Sequence, residues 1–267
     1  MSDKKTNLAA SVAARLLNRA KQSGDDYQTL LTGYCFERFL YRLGTSSVRD
    51  RFVLKGAMLL RVWSDQPYRA TRDLDLLHLG DGSFDAVRDD IRTICITSVE
   101  PDAVVFDADA VLIETIRAED EYAGTRATLP ARCGTARLRL QIDMGLGDLV
   151  WPTPRLSAYP VLLDLPAPEV FVYPREAVVA EKLEAVIVLG DRNSRIRDFF
   201  DLHYLASRFE FDSTGGGRPQ NLRTTPHPDP HRRTDRADAR LLGKSVATNP
   251  GAGIRETRGT GRARRAR

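Results

Sequence analysis

Leu8, Val12, Leu16 and Leu17 recur at helical spacing with Gly24 behind them as a stop, so the chain opens on an amphipathic helix. Asp25 or Asp26 can cap a second helix, in which Tyr27, Leu30, Leu31, Tyr34 and Leu40 form an apolar side and Gly44 marks the end. Phe52-Val53-Leu54 is a short apolar run entering Lys55-Gly56, and Ala57–Trp63 is built of good helix formers. After Pro67 the pattern changes period. Residues 72–77 alternate, and Gly80-Asp81-Gly82 then turns the chain into an amphipathic helix near Ser83–Thr97.

From about 103 to 143 the period of two persists, with strands expected at Val104–Phe106, Val111–Ile116, Tyr122–Leu129 and Arg137–Asp143. A Pro-rich connection (Pro152, Pro154, Pro160, Pro166, Pro168) follows. Pro174 suits the first turn of a helix that runs over Ala177–Leu189 and closes at Gly190, with Val179, Leu183, Val186 and Ile187 as its core stripe. Lys182 lies off that stripe, solvated or paired with an acid. A last helix over Arg195–Ala206 puts Arg195, Asp198 and Asp201 on one polar face.

The alternation at 72–77 is where chemistry enters. On a strand, Asp73 and Asp75 project from one face while Leu74 and Leu76 project from the other. Two carboxylates so close on a half-buried strand repel unless a divalent cation sits between them. The Lys55-Gly56 turn upstream is what a phosphate-bearing partner of that cation needs. Asp107-Ala108-Asp109 has the same spacing without the apolar alternation or the Gly turn, and reads as a solvated loop or strand end. On the strand 137–143, Leu138, Leu140 and Ile142 share a face, leaving Asp143 among polar neighbours. It is either a strand-end partner of a base or, if its strand pairs with 72–77, a third carboxylate beside Asp73 and Asp75.

At 267 residues, 42% hydrophobic and 28% charged, the chain is long enough for a sizeable core. Cys35, Cys95 and Cys133 are scattered and odd in number, which supports neither a zinc site nor a disulfide framework. With no apolar leader and no run of transmembrane length, a cytoplasmic protein without membrane contact is expected. The net charge of +4 hides a split. Residues 213–267 hold 12 Arg and one Lys against four acids, while 1–212 hold 27 basic and 32 acidic residues. Lacking aromatics and nearly lacking aliphatics, 213–267 is expected to be a disordered Arg/Pro/Gly-rich tail. Its abrupt start after Asp212 reads either as a GC-rich gene end translated out of frame or as a nucleic-acid-binding tail.

Five blocks together resemble the AbiEii/AbiGii-type nucleotidyltransferase toxins, which include the MenT toxins and belong to the DNA polymerase beta-like superfamily. The blocks are Phe52–Leu60, Arg69–Leu77, Gln141–Gly145, Val179–Ala185 and Arg195–Leu202. The resemblance spans roughly residues 25–210. It implies an α+β polymerase beta-like fold: N-terminal helices over 1–50, a core with a mixed sheet carrying the acids over 51–150, and an incomplete helical C-terminal lobe over 151–212. It also implies roles. Asp73, Asp75 and Asp143 would hold Mg2+ (or Mn2+) with NTP as substrate; Lys55, Gly56, Arg69 and Thr71 would contact phosphates. Lys182 would steady the triphosphate, and Asp198 is the family's late acidic residue. Here the turn reads Gly56-Ala57 where the superfamily usually has Gly-Gly or Gly-Ser, so backbone N–H groups replace a serine contact.

The resemblance implies a toxin of a toxin–antitoxin or abortive-infection system. It would transfer NMP from NTP to an acceptor, the tRNA 3′ end by family analogy, and would be neutralised by a separately encoded antitoxin. Two other readings stay open: the same fold acting on a small molecule or a protein, and an inactive truncated remnant.

Overall fold

The computed structural model describes residues 2–64, 71–116, 124–147, 150–190 and 196–211. Arg69, Tyr122, Arg195 and the basic tail lie outside the described residues. The helix expected first, α1 (Ser2–Ser23), ends where Gly24 adopts φ +76°. Val12, Leu16 and Ala20 are its buried stripe, whereas Leu17 is turned outward. Asp26 caps α2 (Tyr27–Thr45) by accepting from the Thr29 N–H at 2.8 Å. Gly44 does not end α2 but lies in its last turn. A β-carbon there would meet the Glu169 carbonyl oxygen at 2.5 Å, so the glycine permits close approach of the helix to a strand.

A mixed eight-stranded sheet carries the rest. Its strands are β1 (Phe52–Lys55), β2 (Asp73–His78), β3 (Val104–Phe106), β4 (Leu112–Ile116), β5 (Gly124–Cys133), β6 (Ala136–Leu146), β7 (Arg155–Ala158) and β8 (Glu169–Val172). They lie in the order β3-β5-β6-β2-β1-β8-β7, with β4 also paired to β5. The pairs β1/β8 and β2/β6 are parallel and the others antiparallel. Strands β7 and β8 are a correction, because the Pro-rich stretch had been expected only to connect. Four-residue strands between prolines are too short to show a period of two.

The expected helix at 83–97 is α4 (Phe84–Ile96), capped by Ser83, and the short α3 is Leu59–Trp63. Asp107-Ala108-Asp109 leads into a 3-10 turn in which Asp109 meets Arg92 at 2.7 Å, as suits an exposed loop. One sheet face is the core: Leu74, Leu76, Ala127, Leu129, Leu138, Leu140 and Ile142 are buried together with Tyr34, Phe39 and Leu40 of α2. Each Leu, Ile or Phe among them contributes roughly 1.5–3 kcal/mol by leaving water. A polar network anchors α2. Arg42 forks onto Asp102 at 2.7 and 3.1 Å, and the Glu37 carboxylate accepts from the Leu162 N–H at 2.7 Å. Burial pushes Glu37 up to about 7.

The helical C-terminal part consists of α5 (Arg175–Leu189) and α6 (Ile196–Arg208), packed on each other. Pro174 is the residue before the first turn rather than within it. The expected core stripe of α5 is overturned. Leu183 and Ile187 are exposed, Val179 and Val186 are half-buried, and Ala177 and Val178 are the buried pair. Only the first turn of α5 reaches the core; beyond it the helix partners α6, so its long stripe has no sheet to cover. No helix among the described residues is long and apolar enough to cross a membrane.

Candidate functional site

Strand register brings the candidate residues into one row. Lys55 on β1 is opposite Asp75 on β2, Asp75 is opposite Asp143 on β6, Asp143 is opposite Arg126 on β5, and Arg126 is opposite Glu114 on β4. Paired residues of a sheet share a face, so five charges line up across five strands. Their signs alternate except at one step, Asp75 to Asp143. Asp73, two residues before Asp75, lies on the same face, paired in register with Gln141.

Each acid is held differently. Asp143 sits in a guanidinium fork, with Arg126 Nε and Nη2 each 2.7 Å from one of its oxygens. With its amide oxygen turned inward, Gln141 accepts from Arg126 Nη1 at 3.1 Å and steadies the fork. Asp73 accepts a 2.5 Å hydrogen bond from the Thr71 hydroxyl. For Asp75, burial, then Asp73, then Asp143 push the carboxyl up to about 7, and Lys55 and Lys182 offset only part of this. Gly56, at φ +69°, passes so close that a β-carbon would coincide with the Asp75 carboxyl. Only glycine allows that approach.

Two lysines lie beside the acids, Lys55 at the end of the row and Lys182 on α5. Lys55 Nζ lies 3.1 Å from Glu181 and 4.9 Å from the centre of the Tyr173 ring, and the Tyr173 hydroxyl donates to the same Glu181 oxygen at 2.7 Å. Lys182 Nζ bridges to α6, 2.5 Å from Asp198 and 2.9 Å from the buried Asp201. Arg61 lies over the ring of Tyr159.

Of the residues expected from sequence, Asp73, Asp75, Asp143, Lys55 and Gly56 come together on the sheet, and Thr71 joins them through Asp73. Lys182 acts on Asp75 electrostatically while holding Asp198. Sequence reasoning missed Arg126, Glu181 and Tyr173 as members of the cluster. For Arg126 the signal is register, which a single-strand pattern does not carry; Tyr173 and Glu181 lie beyond β8 and reach Lys55 only because β8 pairs with β1. Among the described residues no group of three or more His, Cys, Asp or Glu is arranged to hold a metal ion. The donor chemistry nevertheless suits a divalent cation: Asp73 and Asp75 are neighbouring oxygen donors, and the Asp75 carboxylate lacks full compensation for its charge.

Acids on a rigid strand, flanked by lysines and a close-passing glycine, suit transfer of a phosphate-bearing group, and comparison with known families makes the class specific: a nucleotidyl transferase. The chain belongs to the family described as nucleotidyl transferase AbiEii toxin, type IV toxin–antitoxin system, whose model matches residues 38–221. No curated protein matches the chain. Among solved structures, JHP933 from Helicobacter pylori is similar at 14% identity and TM-score 0.45, covering 69% of this chain and 68% of its own. An H. pylori protein described as a candidate nucleotidyltransferase is similar at 15% identity and TM-score 0.45, covering 69% and 70%. These likenesses are too loose to carry function.

Proposed function

We propose that this toxin-family enzyme transfers a nucleoside monophosphate from NTP to the 3′ hydroxyl of an RNA, with tRNA as the acceptor, at the Asp73–Asp75–Asp143 row. The like-charge step between Asp75 and Asp143 carries this reading. A row otherwise arranged in alternating charge leaves one place along it where added positive charge is favourable, and it adjoins two lysines.

Asp73 and Asp75 would hold a divalent cation, Mg2+ or Mn2+, which supplies charge neutralisation of the triphosphate when bound. Lys55, the backbone at Gly56 and the Thr71 hydroxyl would receive phosphate oxygens, Thr71 by turning its one hydroxyl proton away from Asp73. Arg69 joins them by sequence expectation alone. Lys182, held by Asp198 and Asp201, steadies the leaving pyrophosphate. Asp143 completes the group beside the attacking hydroxyl. Arg126 takes one lone pair of each Asp143 oxygen, leaving others to accept the hydroxyl proton. The acceptor oxygen bonds to the α-phosphorus, the bond from that phosphorus to the bridging oxygen breaks, and pyrophosphate departs. A separately encoded antitoxin is the expected partner.

Paired incubations with α-labelled and γ-labelled NTP test this. Transfer of the α label to RNA, with the γ label leaving as pyrophosphate, is the expected result. Transfer of the γ label would identify a kinase instead, and label on neither RNA nor any other acceptor would remove the reading.

A further inference from the structure

The face of β5 and β6 that carries Arg126 and Asp143 continues away from them toward the hairpin tip. In register it reads Thr128 with Gln141, Pro130 with Arg139, and Arg132 with Arg137. The opposite face, with Leu129, Ala131, Leu138 and Leu140, is buried. Arg132, Arg137 and Arg139 are all exposed. None of the three makes an ion pair or hydrogen bond among the described residues. Most other arginines of the fold do, including Arg38, Arg42, Arg51, Arg88, Arg92 and Arg126. Asp107, which follows β3 beside Pro130, forms no ion pair with them.

Like charges placed directly across an antiparallel pair destabilise it, and Arg132 and Arg137 are such a pair with Arg139 diagonal to them. Arg137 lies six residue steps from Asp143 along β6, which is about 20 Å. That length spans on the order of four to six nucleotides of a single strand. Between the arginines and the acids the face is neutral, with Thr128, Pro130 and Gln141, and it carries no aromatic ring. Such a surface follows a phosphate backbone rather than reading or stacking bases.

We propose that Arg132, Arg137 and Arg139 form the docking track for the single-stranded 3′ end of an RNA acceptor. The track guides the terminal hydroxyl along β5–β6 to the carboxylate row, without regard to base sequence. This rests on the transfer reading above for its direction, but the track itself is testable without turnover.

The full chain would be photocrosslinked, with no NTP present, to a 12-nucleotide single-stranded RNA bearing 4-thiouridine near its 3′ end. Crosslinks are expected in peptides covering 128–139, falling at least five-fold in Arg132→Gln/Arg137→Gln/Arg139→Gln. Substitution of exposed side chains leaves the fold intact, which far-UV circular dichroism checks. In transfer assays the triple variant should raise KM for RNA about ten-fold while kcat and KM for NTP stay unchanged. Its log-affinity should depend on log salt with a slope about 2 units shallower, as three lost phosphate contacts require. Crosslinks confined to other segments, such as 213–267, would overturn the track, as would a triple variant with wild-type crosslinking and KM. Polyglutamate that binds these arginines in place of RNA would assign the face to an acidic protein and also overturn it. Crosslinking at 128–139 without any transfer would sustain the track and remove the transfer reading; transfer indifferent to the three arginines would do the reverse.

Discussion

Asp75 and Asp143 stand opposite each other on two parallel, hydrogen-bonded strands, and theirs is the like-charge step in a row running Glu114, Arg126, Asp143, Asp75, Lys55. Arg126 compensates Asp143 directly. Asp75 has no such fork, and its carboxyl is displaced to about 7. The energetic tension of the site therefore resides in one side chain.

That displacement sets a pH dependence. Between the ordinary aspartate value of about 3.9 and about 7, the folded protein holds a proton on Asp75 that the unfolded chain has lost. The contribution of this group to stability is complete below about 4 and disappears as pH rises through about 7. Asp75→Asn removes the dependence. Urea unfolding should show the variant more stable than wild type at pH 8, by on the order of 2 kcal/mol, with little advantage at pH 4. Glu37 titrates over the same range in both proteins, so the difference between them isolates Asp75.

Cation binding should relieve the same tension. Millimolar Mn2+ is expected to raise the melting temperature of wild type by several degrees and to leave Asp75→Asn nearly unmoved. Equal shifts in the two proteins would place the ion elsewhere.

Lys182 ties α5 to α6 through Asp198 and the fully buried Asp201. Lys182→Ala should cost about 3 kcal/mol, since it removes the cation from beside a buried carboxylate. Adding Asp201→Asn should recover part of that stability without restoring nucleotide transfer. Denaturant titration and rate measurement on the same preparations separate the two roles.

Gly56→Ala forces a side chain into space held by the Asp75 carboxyl, at a φ that L-residues rarely adopt. A loss of about 1–3 kcal/mol is expected, together with a fall in kcat larger than any change in NTP affinity. Thermal melts and steady-state kinetics check both.

Asp73 and Asp75 were legible in the sequence because alternation on a single strand fixes which side chains share a face. Asp143 was legible only on the condition that its strand pairs with β2, and the register meets that condition. Arg126 was not, since its place depends on which residue of a ten-residue strand lies opposite Asp143. Glu181 was not legible either, since its contact with Lys55 requires knowing that Tyr173 follows β8 alongside β1. Strands β7 and β8 were hidden by their shortness among prolines. The α5 stripe misled because an apolar repeat gives a helix a face without saying how far the core extends beneath it.

The most direct measurement is nucleotide transfer by wild type and Asp75→Asn, side by side, with α-labelled NTP, RNA and Mg2+ or Mn2+. The variant is expected to be folded, at least as stable as wild type at pH 8, and slower by at least about 100-fold, the scale of losing a positioned charge-stabilising group. A folded Asp75→Asn that transfers label at the wild-type rate would contradict the assignment of the row as the catalytic centre.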